Sequence, residues 1–196
     1  MYGWKNITSQ TGTVVTLAEI KKQLEIADDV KVHDMQLDAM LTAAAAQFEK
    51  HTNCLLLQRD VLLQFDSLPI KNCLPLYLPI YPIQSINSFT IDGTAVDLAD
   101  YVIDLTGEPH RIGLQYGNSW PLTVNQIASV QIEATIGHAA EDVPFDIKQS
   151  LVLLVAHWFE HREAVVTGTI VANMPYGVEM LWDSYKLGDD FMRGNH

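Results

Sequence analysis

The stretch at residues 143–163 constrains the fold most, because it is a helix with too much apolar surface to stand alone. Ile147, Leu151 and Trp158 recur at the spacing of one helical face, and most positions between them are apolar as well. At about 20 residues the stretch approaches the length of a membrane span, yet charged residues interrupt it. We therefore expect a helix buried nearly all round, either at the centre of a soluble protein or at an oligomer contact.

The same stretch contains the pattern H-x-x-E-H at His157, Glu160 and His161. This spacing places both imidazoles on one face of the helix, one turn apart, where two nitrogens can reach a single zinc ion. A catalytic zinc also needs a third protein ligand, and the nearest downstream acidic side chains are Glu163 and Glu179. The simpler interpretation places His157 among core residues and the following polar residues at the solvated end of the helix. We expect no metal, cofactor or catalytic residue; a small zinc-dependent metallohydrolase built on this pattern is the alternative function.

The balance of charge argues against nucleic acid as a ligand. The 196 residues include 24 acidic and 12 basic ones, a formal net charge of −12. Such a surface repels the phosphate backbone, and no Lys/Arg cluster stands out, so we expect neither sequence-specific nucleic-acid binding nor membrane association.

Cys54 and Cys73 are too few for a disulfide framework and are interpreted as small apolar groups. The N-terminal residues lack the apolar stretch of a signal peptide, which predicts synthesis in a reducing cytoplasm.

Helix signals occur at both ends of the chain, around a middle with strand periodicity. Thr16 and Glu19 have the spacing of a capping box and predict a first short helix, and a second helix is expected at about 34–52. From Arg59 the apolar period changes to two, and an Asp-Gly pair in the middle segment predicts a hairpin turn. The clearest strand lies at 127–136, where alternate residues are apolar. The middle segment is therefore expected to be antiparallel.

This order of elements predicts an α+β fold with N-terminal helices, an antiparallel β-rich middle, a long buried C-terminal helix and a short terminal helix. We expect a single domain over residues 1–196. Its helical parts are predicted at 16–53 and 143–186, around a β-rich insert at about 59–137. Residues 187–196 are predicted to form a flexible tail.

Several short motifs, taken in chain order, resemble a known protein family. The run V-A-H-W-F-E-H-R-E-A-V-V-T-G at 155–168 is followed by M-P-Y-G-V-E-M-L at 174–181. Near the N-terminus, V-T-L-A-E-I-K-K-Q-L-E-I precedes an alanine-rich helix that ends in T-N, and a D-Y-x-x-D element follows in the expected order. Together these motifs resemble the gp6-like head-tail connector family of tailed bacteriophages and prophages. The resemblance extends over nearly the whole chain, and the segment at 54–125 contributes little to it.

The resemblance implies a structural virion protein without enzymatic activity, located at the head-tail junction and made in the bacterial host cytoplasm. Many copies would pack into a ring, dodecameric in the virion, beneath the portal protein. This ring would extend the DNA channel and provide the docking surface for downstream head-completion or tail proteins. An acidic subunit would let the DNA slide past, although the same charge also serves solubility alone.

The resemblance also implies that the C-terminal region contributes to oligomer contacts. The candidate interface residues are Trp158, Glu160, Arg162, Glu163, Pro175, Tyr176, Gly177, Leu181, Trp182 and Tyr185. For Trp182 and Tyr185 the alternative is that they close the core of their own monomer. Because the loop at 167–173 lacks helical periodicity and Pro175 restarts a helix, we expect an arm that is mobile in the monomer and swings onto a neighbouring subunit.

Overall fold

The computed structural model of the protein describes residues 2–69, 74–124, 127–161 and 175–187. The chain divides into two compact units. The β unit comprises Met1–Thr11, Asn53–Ala139 and Leu187–His196, and the helical unit comprises Gly12–Thr52 and Ala140–Lys186. The predicted α+β fold is confirmed. Within the described ranges, no helix combines the length and the apolar character that crossing a membrane requires.

The β unit contains two antiparallel sheets. Its strands are β1 (Tyr2–Asn6), β2 (Arg59–Phe65), β3 (Leu76–Tyr77), β4 (Ile83–Ile91), β5 (Thr94–Ala95), β6 (Tyr101–Asp104), β7 (Arg111–Leu114) and β8 (Val130–Ile136). The larger sheet has the strand order β1-β2-β8-β4-β5, and the smaller sheet has the order β3-β7-β6. A 3-10 turn at Leu98–Asp100 leads into β6.

Alternation of apolar and polar residues produces the core of the β unit. Strands β2 and β8 are buried at every second position, and their register pairs buried residues such as Val61 and Ala134 on one face. The strands predicted for these two segments are confirmed. Asp92 and Gly93 both have positive φ, 49° and 78°, and they form the predicted two-residue turn between β4 and β5. Cys54 is buried in this unit, as expected.

Strand β1 is not predicted by the sequence. Its five residues are all exposed, and among the described strands it pairs only with β2, at the edge of the larger sheet. A strand without a buried face shows little of the apolar alternation on which strand prediction depends. The alternating aromatic residues Tyr2 and Trp4 are the one signal that points to it.

The helical unit contains α1 (Leu17–Gln23), α2 (Asp34–Thr52), α3 (Phe145–Glu160) and α4 (Tyr176–Asp183). Helix α1 begins at the predicted capping box. The Thr16 hydroxyl accepts a hydrogen bond from the Glu19 N–H at 3.3 Å, and the Glu19 carboxylate accepts one from the Thr16 N–H at 2.6 Å. The Thr16 N–H and the Thr16 hydroxyl both donate to the Glu19 carboxylate and hold the pKa of Glu19 below its ordinary value. Helix α3 packs against α1, α2 and α4.

Helix α3 is not buried all round, contrary to the prediction from its composition. Ile147, Leu151 and most of their apolar neighbours are buried, whereas Phe145 and Leu153 are exposed. The three helices packed against α3 cover its main apolar face and leave part of its surface open. The helix therefore has more apolar residues than its neighbours bury, and two of them, Phe145 and Leu153, are exposed to solvent.

Candidate assembly surfaces

The C-terminal helix α4 is docked on its own chain through Trp182. This side chain is fully buried, and its ring meets the ring of Phe48 edge-on, with 5.4 Å between the centroids. Its indole N–H donates a 2.8 Å hydrogen bond to the Ser150 hydroxyl, and that hydroxyl donates to the Ile147 carbonyl at 2.7 Å. A buried indole requires such an acceptor. Trp182 closes the core of the helical unit, so α4 is docked rather than a mobile arm.

Two further polar contacts hold α4. The Tyr185 hydroxyl donates to the Asp146 carboxylate at 2.7 Å, and a ring nitrogen of His51 lies 2.8 Å from the Asp183 carboxylate. All four residues belong to the helical unit. Tyr185 therefore acts within its own subunit, like Trp182, which is the alternative that the sequence leaves open. A role for either residue in an oligomer contact stays a prediction.

The other candidate interface residues of this region are accessible. Tyr176 is 75% exposed, and Gly177 and Leu181 are also exposed. Pro175, which precedes the helix, is half-buried. These residues can therefore contact a neighbouring subunit without any change in the packing of Trp182.

The end of α3 contributes the remaining candidates. Glu160 is exposed and Trp158 is half-buried. Arg162 and Glu163 lie outside the described residues. The part of Trp158 that stays accessible distinguishes it from the fully buried Leu151 on the same helix.

The H-x-x-E-H pattern does not gather a set of metal ligands. The rings of His157 and His161 lie side by side with 4.4 Å between their centroids, as the spacing predicts. The Nδ1 atom of His161, however, lies 3.0 Å from the His157 carbonyl oxygen, a distance at which it donates a hydrogen bond. Within the described ranges, no three side chains of the His, Cys, Asp or Glu type are placed to hold one ion. The possible ligand Glu163 lies outside those ranges.

The β unit has an exposed apolar segment that the sequence analysis missed. Leu122 and Val124 are 94% and 85% exposed, and Ile127 is exposed as well. The segment follows Trp120, which is buried and stacks on Tyr101 with 5.6 Å between the ring centroids. Because the anchor is fixed in the core, the apolar residues after it are held at the surface. The signal in the sequence that could have indicated this segment is the alternation of Leu122 and Val124 directly after Pro121.

Asp104 and His110 are among the titratable side chains of the β unit whose pKa values are displaced. Hydrogen bonds from Thr106 and Arg111 hold the pKa of the Asp104 carboxyl well below its usual range. Burial lowers the pKa of His110, whose Nδ1 atom accepts a 3.2 Å hydrogen bond from the Ile83 N–H. Both arrangements join neighbouring strands or turns, so we assign them to the stability of the unit.

Comparison with known proteins gives matches among solved structures alone. No family model and no curated protein matches the chain. A chain from the virion of a native gene transfer agent particle is 24% identical with a TM-score of 0.74, covering 94% of this chain and 95% of that chain.

Two chains from gene transfer agent necks match nearly the same share of this chain. One comes from the neck of an empty particle computed with C6 symmetry, at 25% identity and a TM-score of 0.72. The other comes from the neck of a native particle computed with C12 symmetry, at 24% identity and a TM-score of 0.66. Each covers 95% of this chain and 96% of its own. The protein therefore shares the fold of these particle components over nearly its whole length.

Proposed function

We propose that this chain is a structural subunit of the head-tail junction of a phage or phage-like particle. Many copies form a ring beneath the portal protein. The ring extends the DNA channel and offers the docking surface for the head-completion or tail proteins that follow. This role requires no catalytic residue and no cofactor. The subunit is made in the host cytoplasm and acts in the virion.

The observation that carries this proposal is the likeness to chains of gene transfer agent necks. It includes both the helical unit and the β unit, because it covers about 95% of the chain. Those necks were computed with C6 and C12 symmetry, which supports a cyclic assembly for this chain and agrees with a dodecamer. The order of motifs that resembles gp6-like head-tail connectors gives independent support for the same role.

A closed ring needs two different surfaces on each subunit, because one face must complement another face of the next copy. On the helical unit, Phe145, Tyr176, Met180 and Leu181 are large apolar side chains exposed to solvent. Exposed apolar side chains of this kind are typical of contact sites when they cluster. We therefore place a contact of the helical unit at the outer side of α4, next to the buried Trp182.

The charge of the subunit is compatible with a DNA conduit. At a net charge of −12, the surface provides no counterion-release drive for binding the phosphate backbone. A conduit that does not bind DNA lets the genome pass without being retained. The same charge makes identical subunits repel one another, so the ring contacts must be favourable enough to overcome that repulsion.

Electron microscopy of negatively stained full-length protein tests the proposal. We expect rings of uniform diameter that become more frequent as concentration rises, or that appear on addition of the portal protein as a template. Tyr176→Glu should reduce ring formation and leave thermal unfolding unchanged, because this side chain is mostly exposed. The matched control is Met35→Glu, an exposed position on α2 that should retain rings.

Two outcomes would contradict the proposal. Monomers at every concentration, with and without the portal protein, would exclude a ring-forming subunit. Elemental analysis is expected to find no stoichiometric zinc. About one zinc per chain, together with a hydrolytic activity that is lost in His157→Ala, would favour the metallohydrolase instead.

A further inference from the structure

We propose that the ring is also closed in the β unit by strand addition. Residues 121–124 of one subunit pair with β1 in the next subunit, along the edge that no other strand of the described residues occupies. This inference rests on the proposed ring function and names a contact that such a ring would use.

The first surface is β1, an edge strand with an incompletely covered apolar face. Its register places Trp4 opposite Leu63 and Tyr2 opposite Phe65, which are buried on the core face of the sheet. Trp4 and Tyr2 nevertheless remain 39% and 43% exposed. The core face of the sheet thus continues onto β1, but the rest of the subunit covers only part of the Tyr2 and Trp4 side chains. The outer N–H and C=O groups of an edge strand are a template for one more strand.

The other edge of the sheet is less suited to strand addition. Strand β5 has only two residues, and β4 carries two register shifts where it pairs with β8. Short edge strands and bulges are features that prevent pairing with other chains. Strand β1 has five residues, contains no proline and shows an unbroken register with β2. It is therefore the edge on which we place the contact.

The second surface is the segment at 121–124, which has strand character but belongs to no strand of its own subunit. Leu122 and Val124 are nearly fully exposed, and Thr123 between them is less so. This period of two, with a β-branched residue at two of the positions, is typical of a strand with one apolar face. The Val124 N–H donates a 2.7 Å hydrogen bond to the Asp92 carboxylate, which fixes the segment in place, so the pairing with β1 uses the other backbone groups of residues 121–124.

The topology separates these two surfaces. Asp92 lies in the turn between β4 and β5, whereas β1 is the opposite edge strand, three strand spacings from β4. At about 4.8 Å for each spacing, the distance between β4 and β1 is about 14 Å. Residues 121–124 of a subunit therefore do not pair with β1 of the same subunit. Two different surfaces on one subunit, here β1 and the segment at 121–124, are what a head-to-tail contact in a ring requires.

The distribution of charge identifies the occupant as a second copy of this chain. Identical subunits with a net charge of −12 repel one another wherever carboxylates face carboxylates. Residues 1–18 and 109–132 contain no Asp or Glu, and they include β1 and the segment at 121–124. The two segments themselves therefore bring no carboxylate of one copy against a carboxylate of the next, and the Asp92 carboxylate beside Val124 accepts the hydrogen bond from the Val124 N–H.

Cysteine cross-linking tests whether β1 of one subunit lies beside residues 121–124 of the next. The variant Trp4→Cys/Leu122→Cys, in a Cys73→Ser background, should form a ladder of disulfide-linked oligomers under mild oxidation, because paired strands bring the two side chains within bridging distance. Each single variant should give no species beyond a dimer. The matched control pair Trp4→Cys/Val102→Cys uses another exposed position of the β unit, on β6, and should give no ladder.

Introduced charge tests the energetic role of the same contact. Leu122→Glu should raise the concentration needed for ring formation by at least about tenfold without changing thermal unfolding. Val102→Glu should leave ring formation unchanged. If the wild type forms rings while Leu122→Glu forms them equally well and no ladder appears, this inference is overturned and the ring function stands. If the wild type forms no rings even with the portal protein, both are overturned.

Discussion

At the scale of single residues, His110 makes the stability of the β unit depend on pH. It is buried, and its Nδ1 atom accepts the hydrogen bond from Ile83, so that nitrogen must carry no proton. Burial lowers the pKa of His110, and the carboxylates of Glu108 and Asp104 oppose this shift. The unfolded chain therefore binds the proton more readily than the folded one. Stability is full above the unfolded pKa of about 6.5 and falls as the pH drops below it.

We expect the free energy of unfolding to decrease from about pH 7 to about pH 5, and His110→Asn to flatten that decrease. The Asn carboxamide oxygen can accept the hydrogen bond but does not titrate. Urea denaturation at a series of pH values measures the effect. His161→Asn is the matched control, because His161 is exposed. Asp104 stabilises the unit in a different pH range. Because its pKa is lowered, its contribution to the free energy of unfolding is lost only in more acidic solution. Equal slopes for wild type and His110→Asn would contradict the assignment.

Residue roles are predictable from sequence where the partners are close in the chain. The capping box of Thr16 and Glu19 is recognised because both residues lie within one helical turn. The hydrogen bond between Trp182 and Ser150 joins residues 32 positions apart, which no local pattern reveals. An aromatic side chain on a short terminal helix suits both a subunit contact and a core. Only the position of Phe48 and Ser150 around Trp182 distinguishes between the two roles.

At the scale of elements, α4 differs most from expectation. A mobile arm would allow deletion of residues 174–196 without loss of folding. Because Trp182 is fully buried against Phe48 and hydrogen-bonded to Ser150, we expect this deletion to destabilise the helical unit. Trp182→Ala alone should lower the free energy of unfolding by about 3–5 kcal/mol. Tyr176→Ala on the same helix should change it by less than about 0.5 kcal/mol, since that side chain is mostly exposed.

Chemical denaturation followed by near-ultraviolet circular dichroism measures these changes. If Trp182→Ala unfolds like the wild type, α4 is not docked in solution, and the arm that swings onto a neighbour regains support.

Helix α3 shows how far sequence can predict burial: the apolar pattern predicts the helix correctly, but not which of its residues other helices cover. Leu151 is fully buried while Phe145 is exposed, although both are large and apolar.

At the scale of the whole molecule, the order of helices and strands after β1 follows from the sequence, and the pairing of strands does not. Strand β2 lies between β1 and β8, and its partners in β8 are about 70 residues away in the chain. Periodicity identifies a strand and its buried face but contains no information on its neighbours. The assembly surfaces share this limit, because the strand order alone places Trp4 on one edge strand of the larger sheet, away from the turn between β4 and β5.

The final prediction concerns the effect of salt on the ring. Each subunit has a net charge of −12, so assembly brings like charges together, whereas β1 and residues 121–124, which form the proposed contact of the β unit, contain no acidic residue. Salt screens the repulsion, since the Debye length falls from about 10 Å at 0.1 M to about 3 Å at 1 M. We expect the concentration at half-assembly to fall as salt rises from about 20 mM to about 0.5 M, as measured by mass photometry. Leu122→Glu should steepen this dependence, because it adds a carboxylate at the contact. Rings that dissociate as salt rises would show instead that ion pairs, with Glu160 as a candidate partner, hold the subunits together.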